Sequence, residues 1–430
     1  MNTLNIGLVG FGTVGAGVAR IVLEDGEDIA ATTGLRLALG AVCDVDLARD
    51  RGVDLPDGLL TDDADAVLAD PEIDVICELV GGTTFARDLI VRALAGGKHV
   101  VTANKALLAE HGRELFARAS AAGRSISFEG SVCGGIPLVR AVRDGYPGSE
   151  ITQVMGIVNG TCNYILTEMA QRGASYEAAL AAAQEAGFAE ADPSLDVNGV
   201  DSAHKLAVLA RVAFCRDVDF HSIHIEGIGG VQPADVRFGA EMGYVLKLLA
   251  IGKRTDGELE LRVHPVFLPR DHPLASVSGV FNAVWTRGRA TGDTMHYGRG
   301  AGQMPTAAAV VSDLIDVGLG RAAINAAAFR ALSGDLPPTG ARDIAEIETR
   351  YYLRFTVVDQ PGVLAAISGF LGEHHISIAS AIQPEQSPDG DVPIVMLTHR
   401  AREHDLAAAL AEIDRLDVVK AATQVIRIER

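Results

Sequence analysis

The sequence predicts an α/β protein made of three successive domains, and three observations lead to that prediction. Short apolar runs alternate with helical patterns over the first third of the chain, while the middle mixes both patterns and is richer in glycine. The last 80 residues follow the order strand, helix, strand, strand, helix, strand. Strands that alternate with helices pair in parallel through right-handed crossovers, whereas the last order is the ferredoxin-like arrangement. We therefore expect an N-terminal doubly wound parallel sheet, a central α+β domain and a C-terminal βαββαβ domain.

The first domain is expected over residues 1–135. Leu4–Gly10 is apolar and stops at glycine, which predicts a strand, and Thr13–Leu23 follows helical spacing. Parallel strands are buried on both faces and therefore form continuous apolar runs. The further elements predicted here are strands Leu35–Val42, Asp74–Val80 and His99–Thr102 and a helix over Phe85–Ala95.

The central domain is expected over residues 136–320 and the C-terminal domain over 351–430. A linker is expected between them, over 321–350, because it contains the stretch Ser-Gly-Asp-Leu-Pro-Pro-Thr-Gly. In the centre we predict helices Tyr176–Ala186, Asp201–Cys215 and Pro305–Val317 and strands Leu259–Val266 and Val280–Val284. In the C-terminal domain we predict strands Tyr351–Val358, Ile376–Ile382, Val392–His399 and Val418–Ile428, helices Val363–Glu373 and His404–Arg415, and turns Asp359–Gly362 and Pro388–Gly390.

Composition excludes several classes of function. The 430 residues are 48% apolar and 22% charged, as in globular proteins, and 56 acidic against 37 basic residues give a net charge of −19. Such a charge repels nucleic acid and anionic membrane surfaces, so we expect neither as a partner. Apolar runs stay short of membrane-spanning length and the first residues lack a basic stretch, so we expect neither a spanning helix nor a cleaved secretory signal. Five scattered cysteines without a CxxC pair predict reduced thiols and a cytoplasmic enzyme.

The strongest local motif is a glycine-rich turn after the first strand. Gly10, Gly12 and Gly15 fit the pattern GxGxxG between a strand and a helix. The first glycine permits a tight turn, the second lets the backbone approach a pyrophosphate, and the third lets helix pack on strand. The motif predicts a Rossmann-type domain that binds a dinucleotide, the alternative being a glycine turn without a ligand.

The choice between NAD and NADP is expected at the end of the second strand. Asp44 stands there, and an acid at this place binds the ribose 2′-hydroxyl and repels a 2′-phosphate. Arg49 and Arg51 follow closely, and a solvated turn carboxylate is a nearly equal alternative. The sequence therefore favours NAD slightly and leaves NADP open.

Lys105 lies where the strand His99–Thr102 gives way to a helix. A cation at a helix N-terminus opposes the helix dipole, so this position favours a nearby anion. Ligands of open α/β sheets also gather at this edge. We expect Lys105 to contact cofactor or substrate, against the alternative of an exposed surface lysine.

The densest polar cluster in the sequence spans residues 187–205. Glu190, Asp192, Asp196 and Asp201 bring four carboxylates within twelve residues, and Lys205 follows one turn after Asp201. A surface ion pair is the simple explanation, but the following helix is apolar and no basic residue lies between positions 172 and 205. Uncompensated acids can hold an ammonium or a metal, and an adjacent lysine can exchange a proton with a substrate oxygen. We therefore expect an active site here.

A second acid, Glu129, stands next to a glycine-rich bend. Carboxylate and backbone carbonyl oxygens suit a hard cation, but the residues alone favour a plain turn at a domain junction.

Taken together and in order, these motifs resemble homoserine dehydrogenase. The resemblance covers essentially the whole chain, and the tail with its Asp-Gln-Pro-Gly turn resembles an ACT domain, an amino-acid-binding regulatory module. The segments that carry it are GFGTVG, ELVGG, GKHVVTANKALLA, EGSVCGGIPL, GIVNGTCNYILTEM, GFAEADPSLDVNGVDSAHKLAVLA and GAGQMPTAAAVVSDL.

The resemblance implies reversible NAD(P)-dependent interconversion of L-aspartate 4-semialdehyde and L-homoserine in threonine, methionine and isoleucine biosynthesis. It implies a homodimer or higher homo-oligomer, a sodium ion, and feedback by L-threonine at the tail, relieved by deletion beyond about residue 345. Lys205 would be the proton donor, and Glu190 and Asp201 would hold the amino acid. The implied cofactor contacts are Gly10, Gly12, Thr13, Val14, Lys105, Gly187 and Gly302, and the implied sodium ligands are Glu129 with carbonyls of Val132, Gly134 and Ile136.

Several residues depart from the family pattern. Cys133 replaces a usual glycine in the sodium loop, Cys162 a threonine and Arg299 a proline, while Asp44 stands where NADP-using relatives often carry arginine. Two alternatives remain: a prephenate- or phosphoglycerate-type dehydrogenase with a regulatory tail, and an amino-acid sensor built on an inactive dehydrogenase. The first leaves the carboxylate–lysine cluster unexplained. The second predicts loss of Lys205 or of the first glycines, and all of these residues are present.

Overall fold

The computed structural model describes residues 1–322, 339–383 and 391–430. A six-stranded, all-parallel sheet forms the N-terminal domain, in the doubly wound strand order β3-β2-β1-β4-β5-β6. Its strands are β1 (Asn2–Val9), β2 (Leu35–Cys43), β3 (Leu60–Thr61), β4 (Val75–Glu78), β5 (His99–Thr102) and β6 (Ile126–Ser127). Its helices are α1 (Thr13–Glu24), α2 (Gly26–Thr33), α3 (Ala64–Ala69), α4 (Thr84–Ala95) and α5 (Lys105–Ala122). The predicted domain type is confirmed.

The central part surrounds a second, mixed sheet with helices. The helices are α6 (Leu138–Gly145), α7 (Gly160–Arg172), α8 (Tyr176–Glu185), α9 (Ser194–Val197), α10 (Val200–Phe214), α11 (Pro233–Glu241) and α12 (Gln303–Gly318). The strands are β7 (Ile151–Ile157), β8 (His224–Ile225), β9 (Tyr244–Thr255), β10 (Glu258–Pro269), β11 (Phe281–Gly288) and β12 (Gly292–Arg299). Helix α10 is buried on nearly all sides, as its apolar sequence predicts.

The C-terminal part has the predicted βαββαβ order with one additional short strand. Its strands are β13 (Glu348–Val358), β14 (Ile378–Ile382), β15 (Asp391–Thr398), β16 (Ala401–Arg402) and β17 (Val419–Ile428), and its helices are α13 (Val363–Glu373) and α14 (Glu403–Ile413). The helix Val363–Glu373 matches its prediction residue for residue.

The C-terminal sheet continues directly into the central sheet. The eleven-stranded order is β12-β11-β7-β9-β10-β17-β13-β15-β14, with β8 beside β10 and β16 beside β13. Strand β17 pairs in parallel with β10 through Val266 opposite Arg427 and Phe267 opposite Ile428. Ile428 is 3% exposed because it enters the core that the central helices share. The tail is therefore structurally continuous with the centre, although its sequence reads as a separate module.

Helix α12 returns to the N-terminal domain and packs on α1. A Cβ at Gly17 would lie 2.9 Å from the Cβ of Ala307, so only glycine allows this close approach. Val310 and Leu314 of α12 are fully buried in the same core as β1 and α1. Its position in the sequence placed α12 in the predicted central domain. The spacing of its apolar residues predicts a helix but does not show which domain that helix packs against.

Two sequence predictions concern residues outside the described ranges, namely most of the linker (323–338) and the turn Pro388–Gly390. Residues 339–347, also assigned to the linker, contact the central domain through bridges from Thr339 to Val218 and from Ala341 to Leu259. Cys43, Cys77, Cys133 and Cys162 are buried free thiols and Cys215 is exposed, as predicted for reduced cysteines. Across the described residues, every helix is too short or too polar to span a bilayer.

Candidate active site

Two cavities open at the carboxyl edge of the parallel sheet and share Leu79 as a common wall residue. The larger cavity, about 840 Å³, is lined by Gly10, Gly12 and Asp44. The smaller, about 420 Å³, is lined by residues from both domains: Val14, Asn104, Lys105, Glu190, Asp192, Leu195, Asp196, Asp201 and His204. The acidic cluster thus shares a cavity with Val14 of the glycine turn.

The glycine turn has the geometry that its three roles require. Gly10 has φ +99°, and a Cβ there would lie 2.5 Å from the carbonyl carbon of Leu79. A Cβ at Gly15 would lie 2.0 Å from the carbonyl oxygen of Gly10. At Gly12 a Cβ would meet no atom within 4 Å, and no side chain caps the N-terminus of α1. Two glycines are therefore needed by the fold, and the third leaves space beside free N–H groups.

Asp44 holds the glycine turn against the second strand. Its Oδ2 accepts a hydrogen bond from the Phe11 N–H at 2.8 Å, and its Oδ1 pairs with Arg51 at 3.0 Å. Burial alone would raise the pKa of Asp44. The backbone N–H groups of Asp46 and Phe11, together with Arg51, outweigh burial and hold that pKa below its usual value. The Arg51 guanidinium lies 5.1 Å above the Phe11 ring. Asp44 is therefore an ionised part of the cavity wall.

Asp201 is the centre of the charged cluster, and it is 7% exposed. Its Oδ2 lies 2.7 Å from Lys205 Nζ, and its Oδ1 lies 3.1 Å from Lys105 Nζ. Asp201 is thus the nearby anion that the position of Lys105 predicts, and it belongs to the central domain. Burial alone would raise the pKa of Asp201, but the two lysines outweigh it and hold that pKa far below its usual range.

Lys205 lies beside the smaller cavity without lining it, and reaches it through Asp201. Its Nζ donates to Asp201 Oδ2 and to the Val158 carbonyl, both at 2.7 Å. Burial alone would lower the pKa of Lys205, but Asp201 outweighs it and raises that pKa above its usual value. An ammonium has three N–H donors, so one remains for a ligand.

Asn159 is a site residue that sequence reasoning missed. Its Nδ2 donates to Asp196 Oδ1 at 2.7 Å and to Asp201 Oδ2 at 2.9 Å, while its Oδ1 accepts from the Cys162 N–H at the start of α7. One amide therefore caps a helix and joins two carboxylates that would otherwise repel each other. The signal available was an asparagine between a strand and a helix, which predicts a cap but not its second partners.

Glu78 was also missed. It ends β4, is fully buried, and lines the smaller cavity. Its oxygens accept from Thr102 Oγ1 at 2.6 Å and from the N–H groups of Val80 and Gly81. Burial raises the pKa of Glu78 against these hydrogen bonds. Glu78 therefore orders the turn after β4, beside the Leu79 wall that the two cavities share.

Three predicted cofactor residues lie outside the walls of these two cavities, as far as the described residues go. Thr13 is the first residue of α1, Gly187 follows α8 with φ +72°, and Gly302 caps α12 with φ +129°. A left-handed or otherwise glycine-specific backbone explains the residue type at Gly187 and Gly302. Their contacts to a cofactor stay a prediction.

Glu129 is buried, and its carboxylate lies at the N-terminus of α6. Its oxygens accept the N–H groups of Val139 at 2.9 Å and Arg140 at 2.8 Å. Glu129 and Gly134 line a cavity of about 470 Å³.

Of the other predicted sodium ligands, Val132 and Ile136 are buried, and the Ile136 carbonyl accepts the Leu138 N–H at 2.6 Å. Oxygen donors suit a hard cation, and each carboxylate oxygen of Glu129 keeps a further lone pair, so these residues fit sodium. Within the described residues no group of three or more His, Cys, Asp or Glu side chains could hold a metal ion.

Family comparisons match the whole architecture. Models described as homoserine dehydrogenase NAD binding domain, homoserine dehydrogenase and ACT domain match residues 10–129, 137–315 and 351–418. The curated homoserine dehydrogenases of Pseudomonas aeruginosa and Bacillus subtilis are 41% and 39% identical, over 100% of this chain and 100% and 99% of theirs.

Solved structures agree. A crystal structure of a homoserine dehydrogenase from Thiobacillus denitrificans superposes with a TM-score of 0.93 at 41% identity, covering 99% of this chain and 98% of that one. A hyperthermophilic archaeal homoserine dehydrogenase mutant in complex with NADPH is 25% identical, with a TM-score of 0.61 over 74% of this chain and 98% of that one. The chain belongs to the homoserine dehydrogenases, the NAD(P)-dependent oxidoreductases that interconvert L-aspartate 4-semialdehyde and L-homoserine, and it carries a C-terminal ACT domain.

Proposed function

We propose that Lys205 is the proton donor when aspartate semialdehyde is reduced and the proton acceptor when homoserine is oxidised. The observation that carries this proposal is the contact of the nearly buried Asp201 with both Lys205 and Lys105 at the smaller cavity. An oxygen that gains negative charge as hydride adds to the aldehyde carbon needs a proton and a positive field. The bound nicotinamide supplies or accepts the hydride. The third N–H of Lys205 supplies the proton.

Glu190 and Asp201 are proposed to bind the substrate α-ammonium. Both line the smaller cavity, and Asp196 lines it beside them. With Asp192, which also lines it, four carboxylates against Lys105 and Lys205 leave an excess of negative charge for a cationic group. Holding the ammonium there orients the aldehyde carbon toward the sheet edge and converts the reaction into an effectively unimolecular step.

The cofactor contacts are proposed at Gly10, Gly12, Thr13 and Val14, with Lys105 near the phosphate or nicotinamide end and with Gly187 and Gly302 on loops at the cofactor side. The open space at Gly12 and the free N–H groups of α1 support this, because a pyrophosphate needs both. Glu129, with carbonyls of Val132, Gly134 and Ile136, is proposed to hold a sodium ion.

For cofactor preference we propose NAD. Asp44 and three further acids, Asp62, Asp63 and Asp65, line the larger cavity, and within the described residues no lysine or arginine does. That lining repels a 2′-phosphate, although one distant relative was solved with NADPH.

We expect kcat/KM for NAD⁺ to exceed that for NADP⁺ at least about tenfold, because the acids oppose the extra phosphate. Asp44→Ala, which frees Arg51, should move the ratio toward NADP⁺. Asp28→Ala, on the exposed side of α2, is the matched control and should leave the ratio unchanged. A wild type that prefers NADP⁺ would contradict the proposal.

The direction of the Lys205 pKa predicts opposite pH profiles for the two reaction directions. Oxidation needs the neutral amine, so kcat for homoserine should rise about tenfold per pH unit until pH passes the raised pKa. Reduction needs the ammonium, so its kcat should stay level from about pH 6 to 9. Stopped-flow measurement of the hydride step in both directions tests this. Asp201→Asn should move the oxidation break to lower pH, and an unmoved break would contradict the assignment.

Feedback by L-threonine through the ACT domain is also proposed. The Asp359–Gly362 turn leads into α13, and Gly362 caps that helix with φ +93° and no side-chain cap, which suits a bound carboxylate. Millimolar L-threonine should inhibit the wild type, and Asp359→Asn should weaken that inhibition without changing the uninhibited rate. Deletion beyond residue 345 is a poor test, since it removes β17 from the shared core. Insensitivity to threonine would assign the domain to another ligand or to dimerisation.

The remaining proposals concern assembly and location. We propose a homodimer or higher homo-oligomer, to be tested by light scattering, and a cytoplasmic location, which five free cysteines support. The net charge of −19 supports a small-molecule substrate without nucleic-acid or membrane partners.

A further inference from the structure

Several ion-pair groups join the C-terminal ACT domain to the central domain, and in two of them the arginine belongs to the ACT domain. In the first, Arg427 of β17 donates to both oxygens of Glu226 at 2.9 Å and also to Glu403 at the start of α14. In the second, Arg354 of β13 donates to Asp235 of α11, at 2.6 Å from Nε. Both arginines are nearly buried, with side chains 6% and 10% exposed. The two groups thus make similar contacts at one interface but hold different parts of the central domain.

Glu226 continues directly into backbone that touches the catalytic cluster. We call residues 190–201 the acid segment. The Ile228 N–H donates to the Val197 carbonyl at 2.9 Å, and a Cβ at Gly227 would lie 2.2 Å from that same oxygen. A Cβ at Gly199 would lie 3.2 Å from the Glu226 carbonyl. Residues 226–228 and the acid segment therefore pack backbone against backbone, with no space for a side chain between them.

The acid segment transmits its position to the catalytic carboxylates. Asp196 precedes Val197 by one residue, and its Oδ1 is tied through Asn159 to Asp201. Asp201 in turn holds Lys205. A shift of the backbone at Val197 would therefore move the acids that bind and orient the substrate.

We propose that Arg427 is a positioning residue for the acid segment, acting through Glu226, so that the ACT domain completes the geometry of the active site. The bidentate pairing fixes Glu226 in orientation as well as distance, which a point charge cannot do. Catalytic groups must be held to within about half an ångström, and a misplacement of about 1 Å can cost about a hundredfold in rate. The inference goes beyond the proposed threonine site and holds whichever ligand the ACT domain binds.

Conservative variants in the full-length chain test this. Arg427→Lys and Glu226→Gln remove the bidentate pair, whereas Arg354→Lys and Asp235→Asn weaken the other pair at the same interface. The hydrogen bonds of Asp235 go to Gln232, Tyr352 and Arg354, away from the acid segment. We expect the first two variants to lower kcat/KM for homoserine about five- to fiftyfold, with KM for NAD⁺ within about twofold. The control pair should lower Tm with homoserine kinetics unchanged.

Two further measurements separate positioning from folding. The Glu226→Gln/Arg427→Lys double variant should be no worse than the poorer single variant, because the two residues act as one unit. Hydrogen–deuterium exchange of the Ile228 amide should accelerate in these variants and not in the controls. Wild-type kinetics in both Arg427→Lys and Glu226→Gln, or equal loss in the control pair, would overturn the proposal. Absence of homoserine dehydrogenase activity in the wild type would instead contradict the assigned reaction.

Discussion

Replacement of Lys205 by alanine is expected to lower kcat for homoserine oxidation about 10²–10⁴-fold, because the proton is then exchanged without a positioned group. KM for NAD⁺ should change little, since Lys205 lies beside the smaller cavity and away from the glycine turn. Lys205→Met keeps most of the side-chain volume and should show the same loss. Steady-state kinetics with purified variants, checked for folding by circular dichroism, measures both numbers.

Lys105→Ala is the informative comparison, because Lys105 also pairs with Asp201 but lies on the other domain with a side chain 39% exposed. We expect it to raise KM for cofactor or homoserine more than it lowers kcat. Lys420 is an exposed lysine of β17, and Lys420→Ala should leave kcat and KM unchanged. If Lys205→Ala stays within about threefold of wild type while Lys105→Ala loses the rate, the proton-transfer role passes to Lys105.

Gly12→Ala is the second change with a large expected effect. A Cβ at Gly12 meets no protein atom within 4 Å, so the fold should tolerate alanine and Tm should stay unchanged. The methyl group would occupy the space that a pyrophosphate needs, and we expect Kd for NAD⁺ to rise at least about tenfold. Isothermal titration calorimetry with the cofactor measures this directly, independently of turnover.

Gly26→Ala provides the matched control, since this glycine in the same domain also has open space around its Cβ position and begins α2. It should leave both Tm and Kd unchanged. Gly10→Ala differs from both, because its Cβ would collide with Leu79 and its φ of +99° is strained for alanine. Gly10→Ala should therefore lower Tm and also weaken NAD⁺ binding. Unchanged NAD⁺ affinity in Gly12→Ala would remove the glycine turn from the cofactor site.

Elements with strong local signals were predictable to within a few residues. The strand at His99–Thr102 and the helix at Val363–Glu373 match residue for residue, because apolar continuity, a preceding glycine or a polar turn marks their ends. The cluster at residues 187–205 could be singled out as a candidate site because unmatched carboxylates beside an apolar helix are unusual on a solvated surface.

The contacts within that region were not predictable in the same way. Asn159 reads as a helix cap, and nothing in its neighbourhood indicates that its amide joins Asp196 to Asp201. Glu78 reads as part of an apolar strand, yet its carboxylate orders the next turn. Each partner lies far away in sequence, so local periodicity carries no information about it.

The amino-acid sequence by itself determined where strands, helices and glycine turns form, because those depend on side-chain spacing and on backbone freedom over a few residues. It also determined which charged residues lack neighbours of opposite sign. Only the tertiary structure decided that Lys105 and Lys205 meet on one carboxylate and that α12 returns to the first domain. It also decided that β17 joins the central sheet. Those arrangements depend on burial and pairing between segments distant along the chain, which compete with many alternatives until the whole core is assembled.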